Sequence, residues 1–158
     1  MFAAPNSIFG VGSVACSFQP GTVYAIDTAT RCNLDWQFLF WGLSRKQERI
    51  GHLGLFGRPA SGDEIDCASE DPLGKHVGSR LIRLATTWTG QHHHSDDYRL
   101  FPEEAVFPMN RIKGSETHLV RSDIVLLVND TGGIVFSVGS MDWVNIVQDL
   151  FVGEHTKE

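Results

Sequence analysis

Three carboxylates within four residues are the first feature of this sequence that could perform chemistry: Asp63, Glu64 and Asp66. In an extended segment alternate residues share a face, so Glu64 and Asp66 would point to the same side. Two like charges held together cannot both ionise easily, which separates their pKa values and lets one group act as general acid and the other as general base. A solvated loop with an Asx turn would explain the same residues without catalysis. They are the catalytic candidates of the sequence.

Residues 92–97, His-His-His-Ser-Asp-Asp, form the densest group of potential metal ligands. In an extended segment His92, His94 and Asp96 would share one face, and imidazole with carboxylate suits zinc, iron or nickel. Contiguous histidines in a polar loop lack a separated ligand that would fix the geometry. We therefore expect weak, unselective metal binding here and predict no native cofactor for this chain alone.

Other signatures of catalysis or nucleotide binding are incomplete. Cys16, Cys32 and Cys67 have spacings that match neither zinc ligation nor a dense disulfide framework, which favours buried structural thiols in a reducing compartment. The Gly-Val-Gly sequence at 10–12 lacks the third glycine of a dinucleotide-binding loop. Ser140 follows an apolar run without the GxSxG pattern, so a turn leading into a helix is expected there rather than a nucleophile.

Five apolar runs predict the strands that would position these residues. Those lacking strict alternation are typical of strands covered on both faces. Segment 98–107 is ambiguous between an edge strand and a short helical turn, and residues 43–80, broken by glycines and prolines, predict a long connection. A turn over 129–133 predicts a hairpin. The predicted strands are 8–16, 36–41, 81–87, 124–128 and 134–138.

One amphipathic helix is predicted near the C-terminus. Trp143, Ile146, Val147, Leu150 and Phe151 recur at steps of three and four residues, with Asp142 and Gly153 as start and stop signals. These elements predict an α/β fold with a mixed, largely buried sheet, residues 124–128 central and the helix packed on it. One helix is too few to cover both faces, so the sequence resembles part of a larger α/β domain.

Composition limits the class of protein. A length of 158 residues with 42% hydrophobic residues predicts a single domain over residues 1–158. A formal net charge of -6 has the wrong sign for a protein whose main partner is nucleic acid. There is no apolar run of the roughly 18 residues that cross a membrane, and residues 1–6 lack the features of a signal peptide. A soluble, cytoplasmic protein is expected.

Several stretches together resemble a known family, the large (beta) subunit of N,N-dimethylformamidase, in its C-terminal region. The strongest resemblance is in residues 119–125, Leu-Val-Arg-Ser-Asp-Ile-Val, and in residues 129–143, which end Val-Gly-Ser-Met-Asp-Trp. The aromatic run 36–42, the segment 48–55 and the Gly-Asp-Glu-Ile-Asp stretch within 60–66 follow the family's order. The resemblance extends over nearly residues 4–148.

This resemblance implies both a fold and an activity. The fold would be the back half of a glutamine-amidotransferase-like, flavodoxin-like domain. The family hydrolyses small N-substituted formamides to formate and an amine at a mononuclear non-haem iron held by two tyrosines and a glutamate. Tyr24 and Tyr98 stand in no stretch that matches an iron ligand, so no ligand is carried over.

The expected function is therefore that of an amide hydrolase subunit, incomplete or inactive as an isolated chain. The alternative is a non-catalytic binding or assembly module derived from that family. The chain would be a fragment of a longer subunit, a free-standing diverged relative or a subunit that needs a partner. The aromatic run 36–41, in a chain that lacks half of the layers needed to cover its sheet, favours a homo-oligomer or docking to another subunit.

Overall fold

The computed structural model describes residues 10–52, 59–68, 79–87, 98–100, 111–112, 121–140 and 143. Short helices and strands alternate with turns over this part of the chain. Its helices are α1 (Thr28–Cys32) and a 3-10 helix (Gln37–Phe40). Its strands are β1 (Gly12–Thr22), β2 (Tyr24–Ile26), β3 (Arg49–Ile50), β4 (Ser61–Cys67), β5 (Ser79–Thr86), β6 (Tyr98–Leu100), β7 (Arg111–Ile112), β8 (Asp123–Asn129) and β9 (Ile134–Val138).

The described strands form two sheets. One has the order β4-β1-β6-β7 and the other β3-β2-β5-β8-β9. The sheet-dominated architecture confirms the prediction of a strand-rich fold. Every pairing between described strands is antiparallel, however, whereas the sequence predicted a mixture of parallel and antiparallel strands. Continuous apolar runs predict burial on both faces and carry no information on strand direction.

Strand β8 is the best-predicted element. Residues 123–127 are buried, and β8 lies between β5 and β9, as expected for an internal strand. The predicted hairpin to β9 is present, with a turn in which the Asn129 side-chain oxygen accepts from the Gly133 amide at 2.6 Å and from the Thr131 hydroxyl at 2.8 Å. Gly132 supplies the positive φ of 89° that this turn needs.

The two faces of the five-stranded sheet have different coverings. On one face, Ile82, Leu84, Ile124 and Leu126 belong to the main core, which Phe40 and several partly buried aromatic and aliphatic residues complete. On the other face, Val125 packs with Val11 and Ala68, the residues just outside β1 and β4. Hydrophobic burial therefore contributes on both faces of the five-stranded sheet, and on the second face it involves residues next to the ends of β1 and β4.

The aromatic run 36–41, which we predicted as a strand, instead contains the 3-10 helix. Trp36, Leu39, Phe40 and Leu43 contact the main core, whereas Phe38 and Trp41 are exposed. Contacts at positions i, i+3, i+4 and i+7 follow helical periodicity. The prediction of a strand was wrong because it relied on the general preference of aromatic residues for strands and overlooked the helical spacing of the residues that contact the core.

The connection predicted over residues 43–80 also needs correction, because it contains β3 and β4. Strand β4 includes Gly62, Asp63 and Asp66, residues that are rare in strands, but it pairs with β1 along most of its length. Pairing with a long neighbouring strand therefore overrides its weak intrinsic propensity. Strand β1 itself begins later than the predicted strand 8–16 and continues beyond it through Pro20, where a register shift between Ser17 and Thr22 accommodates the proline.

The remaining predicted elements are described in part. Strand β5 confirms the prediction for 81–87, and β6 lies within the ambiguous segment 98–107. Of the predicted C-terminal helix, residues 144–151 lie outside the described residues. Trp143 is helical and packs edge-on against the Tyr24 ring, with 5.6 Å between ring centroids. None of the helices in the described part of the chain has the length and apolar character that crossing a membrane requires.

Candidate functional site

A buried polar cluster lies where the ends of several strands meet. We call it the junction cluster. Its members come from the starts of β2, β4 and β8, from the residue after β5 and from the chain after β9. All of them are at most 6% exposed, and they are Tyr24, Ser61, Thr87, Arg121, Ser122, Asp123 and Ser140. Polar groups in such a position must be hydrogen-bonded to be tolerated.

Tyr24 and Ser122 form the centre of the junction cluster. The two hydroxyl oxygens are 2.6 Å apart, and the Ser122 hydroxyl donates to the Gly139 carbonyl. The Tyr24 hydroxyl is therefore the donor to Ser122. The Ser122 amide donates to the Thr87 hydroxyl at 2.8 Å. One relay of hydrogen bonds thus joins β2, the residue after β5 and the end of β9.

Burial raises the pKa of the Tyr24 phenol to about 12. Repulsion from the carboxylates of Asp123 and Asp66 acts in the same direction, and hydrogen bonding to Ser122 and Ser61 opposes it. The phenol is consequently neutral at physiological pH. It acts as a hydrogen-bond donor and not as a base or an anionic ligand.

Asp123 and Arg121 form a buried ion pair at the other end of the junction cluster. The Arg121 Nε donates to Asp123 Oδ2 at 2.9 Å, and the Ala68 amide donates to the same oxygen at 2.9 Å. The second guanidinium nitrogen of Arg121 donates to the Ala68 carbonyl at 3.0 Å. Arg83 Nε lies 3.7 Å from Asp123 Oδ1. The pair clamps the residue after β4 onto the start of β8.

Ser140 connects the end of β9 to β4. Its hydroxyl accepts from the Gly62 amide at 2.9 Å and donates to the Gly62 carbonyl at 2.8 Å. Beside it, the Asp66 amide donates to the Gly139 carbonyl at 2.8 Å, and the Gly139 amide donates to the Asp123 carbonyl at 2.9 Å. The Ser140 hydroxyl is buried and both donates and accepts a hydrogen bond, so it is not an exposed nucleophile. This agrees with the expectation from the sequence, which was a turn at Ser140 and not a nucleophile.

The predicted carboxylates lie in β4 and not in a loop. Asp63, Glu64 and Asp66 pair with Ser17, Cys16 and Ser13 of β1, and Glu64 and Asp66 occupy alternate positions around Ile65, which is fully buried. The interpretation as a loop with an Asx turn is therefore wrong, because pairing with β1 extends the backbone. Catalysis by these residues stays a prediction. The metal candidates His92, His94 and Asp96 lie outside the described residues.

The two cysteines whose side chains are described differ in their exposure to solvent. Cys67 is buried, as predicted for a structural thiol, whereas Cys32 at the end of α1 is exposed, which the prediction missed. Among the described residues no group of three or more His, Cys, Asp and Glu side chains is placed to hold a metal.

The iron centre implied by the resemblance is not matched at Tyr24. Its hydroxyl is committed to Ser122, its environment disfavours the phenolate, and the nearby Asp123 is paired with Arg121. These residues do not fit an iron site of two tyrosines and a glutamate, and we derive no step through such a centre.

Comparison with known proteins relates the chain to one kind of enzyme subunit. It is 32% identical over 98 residues to the N,N-dimethylformamidase beta subunit of Alcaligenes sp and 33% identical over 97 residues to that of Paracoccus aminophilus. A family relationship to the N,N-dimethylformamidase beta subunits is thus supported. The matches cover 62% and 61% of this chain but only 12% of each relative. No protein-family model matches.

The dimethylformamidase resemblance seen in the sequence is confirmed by these matches, although the sequence did not predict the junction cluster. Arg121, Ser122 and Asp123 stand in the stretch that resembles the dimethylformamidase subunits most strongly. Three polar residues directly before the continuous apolar run of β8 were the available signal. Their partners, Tyr24 and Ala68, are more than 50 residues distant in sequence, so the contacts themselves could not be predicted from spacing.

Proposed function

We propose that this chain serves as a structural part of a dimethylformamidase-type amide hydrolase and does not hydrolyse amides by itself. The observation that carries the proposal is the use of its buried polar groups. In the junction cluster, hydrogen bonds that hold strand ends together involve the side chains of Tyr24, Arg121, Ser122 and Ser140. The relationship to dimethylformamidase beta subunits supplies the class of enzyme.

The chemistry of amide cleavage supports a structural role for this chain without catalysis by the chain alone. An unactivated amide such as dimethylformamide needs a Lewis acid or hydrogen-bond donors to stabilise the tetrahedral intermediate, and a base to generate hydroxide. The carboxylates of β4 could supply only the base. The hydroxyls of Tyr24, Ser122 and Ser140 and the guanidinium of Arg121 are buried and already donate to other groups of the chain, so they offer no oxyanion site to a substrate.

The proposal carries forward only part of what the resemblance implied. It retains a small amide as substrate of the complete enzyme, a cytoplasmic location and docking to another subunit, in preference to a homo-oligomer. The flavodoxin-like fold is not carried forward, because doubly wound sheets are mostly parallel and the described pairs are antiparallel.

Release of dimethylamine from dimethylformamide tests the proposal directly. We expect no release above the buffer blank by the purified chain, with the full-length enzyme of Paracoccus aminophilus as the positive control. Circular dichroism and a cooperative thermal transition would first show that the chain is folded. Amine release that disappears in Glu64→Gln but persists in Asp130→Asn, a change at the exposed hairpin turn, would overturn the proposal and assign catalysis to β4.

A further inference from the structure

A groove beside the 3-10 helix combines aromatic and cationic side chains. It consists of two adjoining cavities of about 330 and 700 Å³, which share Arg31, Gln37 and Arg45. Phe38 and Trp41 line the smaller cavity, and Arg49 lines the larger one. We call this surface the arginine groove. It lies apart from the junction cluster and shares no residue with it.

Arg31 fixes one wall of the arginine groove. Its guanidinium donates to the carbonyl of Gln47 and, at 2.5 Å, to the carbonyl of Ser44. These bonds tie residues 44–47 to α1, which is itself capped by Asp27 through a 2.7 Å bond to the Thr30 amide. The segment that carries Arg45 is therefore held in place rather than free, which lowers the entropic cost of binding.

The cations of the arginine groove have no acidic partner within the described part of the chain. Arg31, Arg45 and Arg49 form no ion pair there, although Glu48 lines the same cavity. The whole chain carries 19 acidic against 13 basic residues, so this cationic surface is opposite in sign to the net charge of -6. Unpaired guanidinium groups in a concave surface attract carboxylates, to which they can bind in a bidentate manner.

The aromatic end of the groove is unusually exposed. Trp41 is 93% and Phe38 is 61% exposed, which is costly for side chains of this size. Tryptophan and arginine are the residue types that most often dominate protein interfaces. Small-molecule sites enclose most of their ligand, whereas here the largest ring lies on the surface. The combination favours a polypeptide partner.

We propose that the arginine groove docks an acidic segment of another polypeptide. Carboxylates of that segment pair with Arg45 and Arg49, and its apolar side chains pack on Phe38 and Trp41. Charge complementarity selects an acidic partner, and docking of a second copy of the chain is a separate outcome that the test below would reveal. The inference rests on the subunit-docking part of the proposed function and names the surface that performs it.

Binding of synthetic peptides tests the groove without any amide substrate. The probe is a fluorescein-labelled peptide of alternating Glu and Phe, and the control peptide replaces every Glu by Gln. We expect the Glu peptide to bind at least about tenfold more tightly and to weaken as salt is raised. Arg45→Glu with Arg49→Glu should weaken it about tenfold or more, and Trp41→Ala should also weaken it.

Matched control variants separate the groove from general effects of charge and hydrophobicity. Thr131→Glu adds a negative charge at the exposed hairpin turn outside the groove, and Phe136→Ser removes an exposed aromatic ring on β9. Both should leave peptide affinity within about twofold of the unmodified chain. Equal losses in these controls would overturn the proposal, as would equal binding of the Glu and Gln peptides.

Two further outcomes would assign the groove to a different partner and so contradict the proposal. One is tighter binding of a single-stranded oligonucleotide than of the Glu peptide, abolished by the same arginine reversals. The other is self-association that Arg45→Glu with Arg49→Glu abolishes in sedimentation. Because amine release is measured separately, a failure of peptide binding leaves untouched the proposal that the isolated chain does not hydrolyse amides. Amine release by the chain would likewise leave the binding result standing.

Discussion

The titration of Tyr24 tests the junction cluster at the scale of one residue. The unfolded phenol loses its proton near pH 10, whereas the pKa in the folded chain is about 12. Between these values the unfolded state binds fewer protons, so the free energy of unfolding falls as pH rises. The contribution of the protonated Tyr24 phenol to the free energy of unfolding is fully present below pH 10. Above pH 10 it is lost at up to ~1.4 kcal/mol per pH unit.

Tyr24→Phe isolates this contribution. At pH 7 the variant should be less stable by about 1 kcal/mol, because it lacks the hydrogen bond to Ser122. Urea unfolding at intervals from pH 7 to pH 11.5 should show the difference shrinking above pH 10 and then reversing. Other basic groups titrate equally in both proteins. Parallel stability curves would mean that the Tyr24 phenol is not buried as described.

The residue scale also shows what sequence could and could not predict about the candidate site. Sequence showed that an extended segment would place Glu64 and Asp66 on one face, because alternation is a local property, but it predicted a connection and not a strand for this stretch. Their pairing with β1 was missed. The buried ion pair of Arg121 and Asp123 looked like ordinary polar residues before a strand, since its significance depends on Ala68 and Arg83, which are distant in sequence.

At the scale of elements, local periodicity decided which predictions succeeded. Strands β5, β8 and β9 were recognised because apolar residues predominate in them, without interruption over residues 124–128. The 3-10 helix was misassigned because aromatic residues favour strands in general, although its core contacts at residues 36, 39, 40 and 43 follow a helical repeat. Strand β4 was missed because its stability comes from β1, a contact that local sequence does not encode.

Gly139 provides an element-scale prediction at the end of β9. A Cβ at this position would overlap the carbonyl oxygen of Asp66 and lie 2.8 Å from that of Asp123. Both are backbone atoms that cannot move without breaking the hydrogen bonds between β4, β8 and β9. Gly139→Ala should therefore lower the free energy of unfolding by about 3 kcal/mol in urea titration.

Gly132→Ala is the matched control for this substitution. Gly132 has a φ of 89° and open space around it, so only the backbone strain of about 1 to 2 kcal/mol applies. A Gly139→Ala variant that is as stable as Gly132→Ala would show that the close approach of β9 to β4 does not exist in solution.

At the scale of the whole molecule, the two sheets are joined by polar bonds as well as by apolar packing. Sequence predicted a strand-rich core but could not predict that its strands divide into two antiparallel sheets, because burial patterns do not specify which strands pair. The Ser140 hydroxyl crosses the division by bonding both backbone groups of Gly62. Such bonds should make the sheets unfold together.

Ser140→Ala tests this coupling. The change leaves the amide and carbonyl of Gly62 without that partner in a buried place, which should cost about 1 to 3 kcal/mol. Thr131→Ala removes a hydroxyl of the exposed hairpin turn and should cost less than about 0.5 kcal/mol. Calorimetry of the unmodified chain should give one cooperative transition, and Ser140→Ala should lower its midpoint. Two resolved transitions in the unmodified chain would show instead that each sheet folds independently, and the junction cluster would then not hold them together.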